Sequence, residues 1–334
     1  MPPLALPPSG WSHASSPFHE GERRAQARAG VADKLEAVGR RLIHTAMPAS
    51  HRELFEKLPY LVLGAADDRG RLWASLLTGP AGFVRAPDEH TLHVAARPVR
   101  GDPMTSLLSA GRAIAVLGVE LATRRRNRAN GVVADARDPR GVTLQIAQSF
   151  GNCPQYIQAR RPLMHEPLVV PALAPAPEGP RLSDAATQLI ERADTFFIAT
   201  ATSGPAQRPA DGADVSHRGG KPGFVAVTRT SRATTLVAPD FRGNFLFNTL
   251  GNLELNPRAG LLFPDFASGD LLSLTGRATV SWDDPRIATF AGAQRLLEFQ
   301  VEAGMLLSGA LPWRWSPAEE APQLVATGRW PSAS

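Results

Sequence analysis

Residues 73–84 read WASLLTGPAGFV, and residues 214–225 read DVSHRGGKPGFV. The two stretches align without gaps and share five residues: Ser75/Ser216, Gly79/Gly220, Gly82/Gly223, Phe83/Phe224 and Val84/Val225. A run of apolar residues bounded by glycines is typical of a strand that ends in a turn. We interpret the stretches as matching hairpins of two diverged copies of one unit, with chance similarity between Gly-rich hairpins as the alternative.

The similarity extends outward from these hairpins. Upstream, LVLGAA resembles FIATAT, and downstream AIAVLGVE corresponds in pattern to AGLLFPDF. Short strand-like runs predominate in both halves, while residues 21–46, 50–58 and 183–193 have helical spacing. The sequence therefore predicts a mainly β fold with flanking helices (α+β), built as two tandem small β-barrels. We assign residues 1–18 to a flexible arm, 19–161 to the first copy, 162–182 to a Pro-rich linker and 183–334 to the second copy.

Composition excludes several classes of function. A net charge of +5 favours anionic ligands only mildly. The densest basic run, TRRRNR at 123–128, has no interleaved aromatic residues for base stacking, so we interpret it as a solvated strand end or turn and expect no nucleic-acid partner.

The single cysteine excludes an intrachain disulfide and Cys-based metal fingers, and we expect no metal site. No apolar run reaches membrane-spanning length and the N-terminus lacks signal-peptide features, so we expect a cytoplasmic protein with no membrane partner.

The copies differ in their polar residues. Where the first has SLLTG at 75–79, the second has SHRGG at 216–220. The second also has FRGNFLFNTLGN at 241–252, whereas the matching GDPMTSLLSAGR of the first is shorter and poorer in donors. Helix N-termini and arginine forks bind phosphate oxygens, so the second copy is predicted to hold an anion and the first to be degenerate. Alternatively, the asparagines only cap and bridge turns.

Three segments carry a resemblance to a known family: ADVSHRGGKPGFV (213–225), TTLVAPDFRGNFLFNTLGNLELNPRAGLLFPDF (234–266) and LTGRATV (274–280). Their order resembles that of the pyridoxamine 5′-phosphate oxidase-like family, the FMN-binding split β-barrels. The resemblance covers about 90 residues of the second copy and is weaker in the first. It implies two tandem split β-barrels of the FMN-binding type, with FMN held by its phosphate between barrels. The cofactor-binding residues that it implies in the second copy are Ser216, His217, Arg218, Arg242, Asn244, Asn248, Thr249 and Asn252.

The sequence departs from the family at the pair Asn248–Thr249, where the oxidase proper has basic residues. This departure leaves Arg218 and Arg242 to supply positive charge and does not favour pyridoxamine phosphate oxidase activity itself. A neighbouring barrel completes the flavin site in relatives, and either the first copy or a second chain can be that neighbour. The candidate contributions from the first copy, within SFGNCPQYIQARRP (149–162), are Asn152, Cys153 and Tyr156.

Cys153 and Tyr156 each have two interpretations. Cys153 is an activated thiol if it lies at a helix start near Arg160, and otherwise a buried small hydrophobe. Tyr156 either stacks on a ligand ring or packs in the core.

The resulting functional hypothesis is an FMN-dependent oxidoreductase that passes hydride or electrons to a small molecule or oxygen. The expected partners are a small-molecule substrate or nicotinamide donor, a reductase, and a second copy of the chain in a homodimer. We assign no catalytic residue, because the sequence contains no triad or paired-carboxylate signature. Two alternatives remain: a flavin-binding or electron-transfer module without strong turnover, and a split barrel that binds haem or a deazaflavin. Reduction of the flavin by NADH or NADPH would separate an enzyme from a passive binder.

Overall fold

The computed structural model describes residues 10–167, 174–204 and 208–331. Within them the protein is mainly β, with five α-helices: α1 (Glu20–Arg28), α2 (Ala32–Leu42), α3 (Ala49–Lys57), α4 (Asp184–Arg192) and α5 (Asn248–Leu255). The strands of the N-terminal half are β1 (Tyr60–Ala66), β2 (Leu72–Thr78), β3 (Val84–Arg85), β4 (Thr91–Val94), β5 (Ala113–Glu120), β6 (Arg125–Asp135), β7 (Val142–Asn152) and β8 (Pro162–Pro167). The remaining strands are β9 (Ala176–Glu178), β10 (Thr195–Ala201), β11 (Ala213–Gly219), β12 (Ala226–Arg229), β13 (Thr234–Phe241), β14 (Arg258–Pro264), β15 (Leu271–Ser281), β16 (Ala293–Leu307) and β17 (Trp313–Trp315). The predicted α+β fold class is confirmed.

The two large antiparallel sheets have the same strand order. The first runs β2-β1-β5-β6-β7-β4-β3, and the second runs β11-β10-β14-β15-β16-β13-β12. Val62 pairs with Leu76 in the first sheet, just as Phe197 pairs with His217 in the second. This register makes Ser75 equivalent to Ser216, as the ungapped sequence alignment requires. The domain limits assigned from the sequence stay a prediction.

The glycines shared by the two hairpins have the same physical role in both halves. A Cβ on Gly79 would lie 2.3 Å from the ring of Phe83, and a Cβ on Gly220 would lie 2.3 Å from the ring of Phe224. Gly82 and Gly223 have φ angles of 79° and 83°, which residues with a Cβ rarely adopt. Each repeated phenylalanine is buried against its turn, so the shared residues form one packing unit that occurs twice.

The sheets pack against each other within one chain. An apolar cluster between them combines Val62 and Leu117 from the first half with Phe197, Val215 and Leu262 from the second. Each half also has its own apolar core. The tandem arrangement thus places one barrel beside the other without a second chain.

Three local expectations differ from the structure. Residues 1–9 of the predicted arm lie outside the described residues, but Trp11 and Phe18 are buried, so residues 10–18 are not a loose arm. The helical spacing over residues 21–46 is interrupted, since α1 ends at Arg28 and α2 begins at Ala32, and the helix expected over residues 50–58 begins at Ala49. Residues 168–173 of the Pro-rich stretch lie outside the described residues, and the parts on either side of them are not a free linker, because β8 pairs with β17 and β9 pairs with β16.

Within the ranges described, none of the helices has the length and apolar character needed to cross a membrane.

Candidate ligand site between the two halves

A cavity lies where the start of β6 and the end of β7 meet β11 and the start of α5. Its empty volume is about 630 Å³, part of which is open to solvent. Ligand pockets of roughly 300–1,000 Å³ hold molecules of cofactor size. Both halves line the cavity, so its shape depends on how the two sheets pack.

The lining is basic. Four arginines line the cavity, namely Arg126, Arg128, Arg218 and Arg295. Asp240 accepts hydrogen bonds from both Arg218 and Arg295, the latter at 2.7 Å from Nε to Oδ2. The guanidinium of Arg126 donates only to the backbone oxygens of Cys153 and His217, and has no carboxylate partner among the described residues. Burial, together with the neighbouring Arg128 and Arg218, lowers the pKa of Arg126 to about 9, as expected where positive charge is in excess.

Arg128 connects the two halves. Its side chain comes from β6 of the first half and is 3% exposed. One terminal nitrogen donates to Asp214 Oδ1 at 3.1 Å and to Asn248 Oδ1 at 2.9 Å, and the other donates to Ser216 Oγ at 2.6 Å. Thr249 Oγ1 also donates to Ser216 Oγ, at 2.9 Å. Because Ser216 Oγ accepts both bonds, its own hydrogen remains available for a ligand.

Helix α1 supports this network from behind. Asn248 Nδ2 donates to Glu22 Oε1, which fixes the orientation of the Asn248 amide and turns its oxygen toward Arg128. Burial raises the pKa of Glu22 well above its usual value, and the nearby Asp214 acts in the same direction. The carboxyl group of Glu22 therefore takes up a proton more readily than an exposed glutamate does.

The N-terminus of α5 faces the cavity without a cap. Phe247 occupies the N-cap, no side chain in the described part of the chain caps this end, and Asn248, Thr249 and Leu250 of the first turn line the cavity. The first backbone N–H groups of a helix attract anions. Phe245 and Phe247 both have φ angles of 61°, a left-handed conformation that costs about 1–3 kcal/mol for such residues. Strain of this kind clusters at ligand sites, and here it directs the helix start into the cavity.

Several buried donors in the lining have no partner. The Nε atoms of Arg128 and Arg218 are buried and lack a hydrogen-bond acceptor among the described residues. An unmade hydrogen bond of a buried charged group costs more than about 1–3 kcal/mol. A phosphate-type anion supplies acceptor oxygens for these donors, for the start of α5 and for the Ser216 hydroxyl. The residues present therefore fit such a group.

The other part of the lining is aromatic. Tyr156 stacks on Phe241 with ring centroids 4.9 Å apart, and both line the cavity with Phe245 and Phe247. Tyr156 is also left-handed, with a φ angle of 62°. The cavity thus has a basic end suited to an anion and an aromatic wall suited to a flat ring.

The structure brings nine of the eleven predicted residues to this cavity. They are Ser216, His217, Arg218, Asn244, Asn248, Thr249, Asn152, Cys153 and Tyr156. Asn252 is instead buried beneath the site, where it donates to Thr200 and Asp214. Arg242 is exposed and lies over the ring of Phe245 at 5.6 Å.

Two expectations about the first half are corrected. No helix begins at Cys153, which lies in the loop after β7, and Arg160 pairs with Asp194 instead. The run TRRRNR is not simply solvated, because Arg126 and Arg128 line the cavity. The alternation of side chains along β6 places these two residues on the same face, but only the packing of the two sheets shows that this face meets β11.

His217 occupies the opposite face of β11 from Ser216 and Arg218. Its ring packs edge-on against Phe197 with centroids 5.6 Å apart, and neither ring nitrogen has a hydrogen-bond partner among the described residues. Burial, and then Arg126, Arg218 and Arg160, lower the pKa of His217 well below its usual value. The imidazole is therefore neutral near pH 7 and is unsuited to act as a proton donor there.

The duplication contains a second position equivalent to the contact between Arg128 and Ser216, and internal hydrogen bonds close that position to a ligand. Across the first sheet, Val62 of β1 pairs with Leu117 of β5, and Leu117 pairs with Arg128 of β6. At the equivalent places of the second sheet, Phe197 pairs with Leu262, and Leu262 pairs with Ser273. The counterpart of Arg128 is thus Ser273, which donates to the backbone oxygen of Ala74. The counterpart of Ser216 is Ser75, whose buried hydroxyl donates to Asp102 Oδ2 at 2.5 Å.

Asp102 gives a test of this closed position. Burial outweighs the hydrogen bonds from Ser75 and Met104 and raises the pKa of Asp102 from 3.8 to about 6. The folded protein therefore holds this proton more tightly than the unfolded chain does, and wild type loses stability as pH rises from about 4 to about 6. We expect Asp102→Asn to gain about 2–3 kcal/mol relative to wild type between about pH 4 and about pH 7, measured by chemical denaturation. A stability difference between the two proteins that is independent of pH would contradict this.

Comparisons with known proteins give only remote likenesses. No protein-family model matches the chain, and no curated protein matches it. Similar solved structures include a candidate pyridoxamine 5′-phosphate oxidase from Lactobacillus delbrueckii, at 13% identity and a TM-score of 0.29, covering 37% of this chain and 93% of that one. The haem storage protein HutZ from Vibrio cholerae has 15% identity and a TM-score of 0.25, covering 39% of this chain and 96% of that one. A FAD-binding protein from Mesorhizobium loti has 12% identity and a TM-score of 0.25, covering 41% of this chain and 100% of that one. At these TM-scores none of them supports the assignment of a ligand or an activity to this chain.

Proposed function

We propose that the protein binds FMN in the cavity between its halves and acts as a flavin-dependent oxidoreductase. The observation that carries the proposal is the orphaned donor set, the Nε atoms of Arg128 and Arg218 beside the uncapped start of α5. A phosphate monoester carries a charge of about −1.5 to −2 near neutral pH, which offsets the excess positive charge of the lining.

Each part of the lining has a role in holding the cofactor. Arg128, Arg218 and the Ser216 hydroxyl hold the phosphate, and the stacked pair Tyr156 and Phe241 forms the wall for the flavin ring. The bound flavin supplies the hydride and electron transfer chemistry. The protein orients it, and the excess of arginine favours its more negative forms.

The first test is the absorption spectrum of the purified protein, followed by release and identification of any chromophore. Flavin bands, with FMN in the supernatant, are the expected result. A Soret band would favour haem instead. A colourless protein that does not take up added FMN would refute the proposal.

Turnover is a separate question from binding. NADH or NADPH added without air is expected to bleach the flavin absorption, and air is expected to restore it. A flavin that stays oxidised with either donor would favour a passive flavin-binding module over an oxidoreductase that uses nicotinamide.

Arg218→Ala tests the role of the phosphate. Asp240 keeps its bond with Arg295 in this variant, so the fold is expected to persist. A hydrogen bond to a charged group contributes about 1.5–3 kcal/mol, so FMN affinity is expected to fall about 10- to 100-fold. Riboflavin, which lacks the phosphate, is expected to bind wild type and variant equally, as measured by quenching of flavin fluorescence. The control is Arg277→Ala, at an exposed position of β15, and an equal loss for both flavins would contradict the assignment.

A further inference from the structure

A second, open groove adjoins the cavity on the side of the first half. Its empty volume is about 940 Å³, including open solvent. It shares four lining residues with the cavity: Arg126, Asn152, Cys153 and Asn244. A molecule in the groove would therefore lie directly beside a ligand in the cavity.

The floor of the groove has hydrogen-bond donors without acceptors. Asn127 is 3% exposed, and its Nδ2 has no partner among the described residues. Arg125 donates to the backbone oxygen of Ser50 and forms no ion pair with any described carboxylate, whereas the guanidinium of Arg126 lies on the opposite face of β6, toward the cavity. Arg125 and Asn127 are two residues apart on one face of β6, and a guanidinium group without an ion pair beside an orphaned amide donor matches the oxygens of an anion.

One side of the groove is apolar. Leu42, at the end of α2, is 49% exposed and is one of four large hydrophobic side chains exposed in the described residues. Pro154 also lines the groove. An apolar surface beside unpaired donors is typical of a small-molecule site.

We propose that this groove binds a small organic carboxylate, with its charged group at Arg125 and Asn127 and its apolar body against Leu42 and Pro154. Its role as the substrate site rests on the proposed flavin in the adjoining cavity. Binding of the carboxylate itself does not depend on flavin, so the two proposals can fail separately.

The probe is 4-fluorobenzoate, followed by ¹⁹F NMR line broadening with the purified protein. 4-Fluorobenzamide, which has the same shape without the charge, is the control ligand. We expect the carboxylate to bind wild type, the amide to bind at least about 10-fold more weakly, and Arg125→Ala to weaken the carboxylate by about 10-fold. Arg218→Ala, which changes only the cavity, is expected to alter carboxylate affinity by less than about 2-fold, as independent sites require.

Other outcomes overturn the proposal. Equal affinity of Arg125→Ala and wild type, equal binding of the amide, or no binding of the carboxylate would each refute the groove site. A loss caused by Arg218→Ala but not by Arg125→Ala would place the anion in the cavity instead. FMN content is measured on the same samples, so carboxylate binding without FMN uptake would preserve the groove site and refute the flavin proposal.

Discussion

Arg128→Met is expected to lower the free energy of unfolding by about 3–5 kcal/mol, because it leaves the buried carboxylate of Asp214 without its ion-pair partner. The same change removes the bonds to Ser216 and Asn248 and opens the cavity wall. FMN affinity is expected to fall at least about 100-fold, since several charged hydrogen bonds disappear together. Denaturant titration gives the stability, and fluorescence titration of the folded protein gives the affinity.

A double variant separates these two effects. Arg128→Met combined with Asp214→Asn removes the unpaired charge and keeps one of the two oxygens that accept from Asn130 and Asn252. Part of the stability is expected to return, while FMN binding remains lost. Recovery of FMN binding in the double variant would show that Arg128 acts only by supporting the fold.

Gly21→Ala is expected to destabilise the protein by about 1–3 kcal/mol through overpacking. Helices α1 and α5 cross so closely here that a Cβ on Gly21 would lie 2.0 Å from the backbone oxygen of Gly251. A backbone atom cannot rotate away, so α5 must move, and with it the helix start that faces the cavity. FMN affinity is expected to fall as well, although Gly21 does not line the cavity.

The matched control is Gly179→Ala, since a Cβ there would meet no atom of the described residues within 4 Å. It is expected to change stability by less than about 0.5 kcal/mol. If Gly21→Ala were as stable as this control and bound FMN normally, close packing of α1 on α5 would not position the site.

The repeated hairpin shows how far sequence reasoning reaches for the fold. Gly79 and Gly220 are required by contacts with phenylalanines four residues away. Because these contacts are close in the chain, the short repeated sequence was enough to predict the turn. The strands follow from the same short-range alternation of apolar residues. The limits of α1 and α2 were less accurate, because one helical pattern spans both helices and their separation depends on a short turn near Gly30.

Only those residues of the candidate site that come from the second half of the chain were predictable from the sequence. SHRG and FRGNFLFNTLGN are rich in donors, and most of these residues line the cavity. Asn252 belongs to the same donor-rich segment, but it forms internal hydrogen bonds and does not line the cavity. The spacing of residues alone does not distinguish these two roles. Arg126 and Arg128 belong to a run that is indistinguishable in sequence from an exposed turn.

The sequence by itself determined the class of fold, the duplication and the donor-rich segment, because each depends on residues close together in the chain. Tertiary structure alone decided that Arg128 lies against Ser216, 88 residues away in the chain. It also decided that the equivalent position, at Ser75 and Ser273, is closed. The physical reason is that the two sheets bury their apolar faces against each other, and this packing fixes which polar residues meet at the edges.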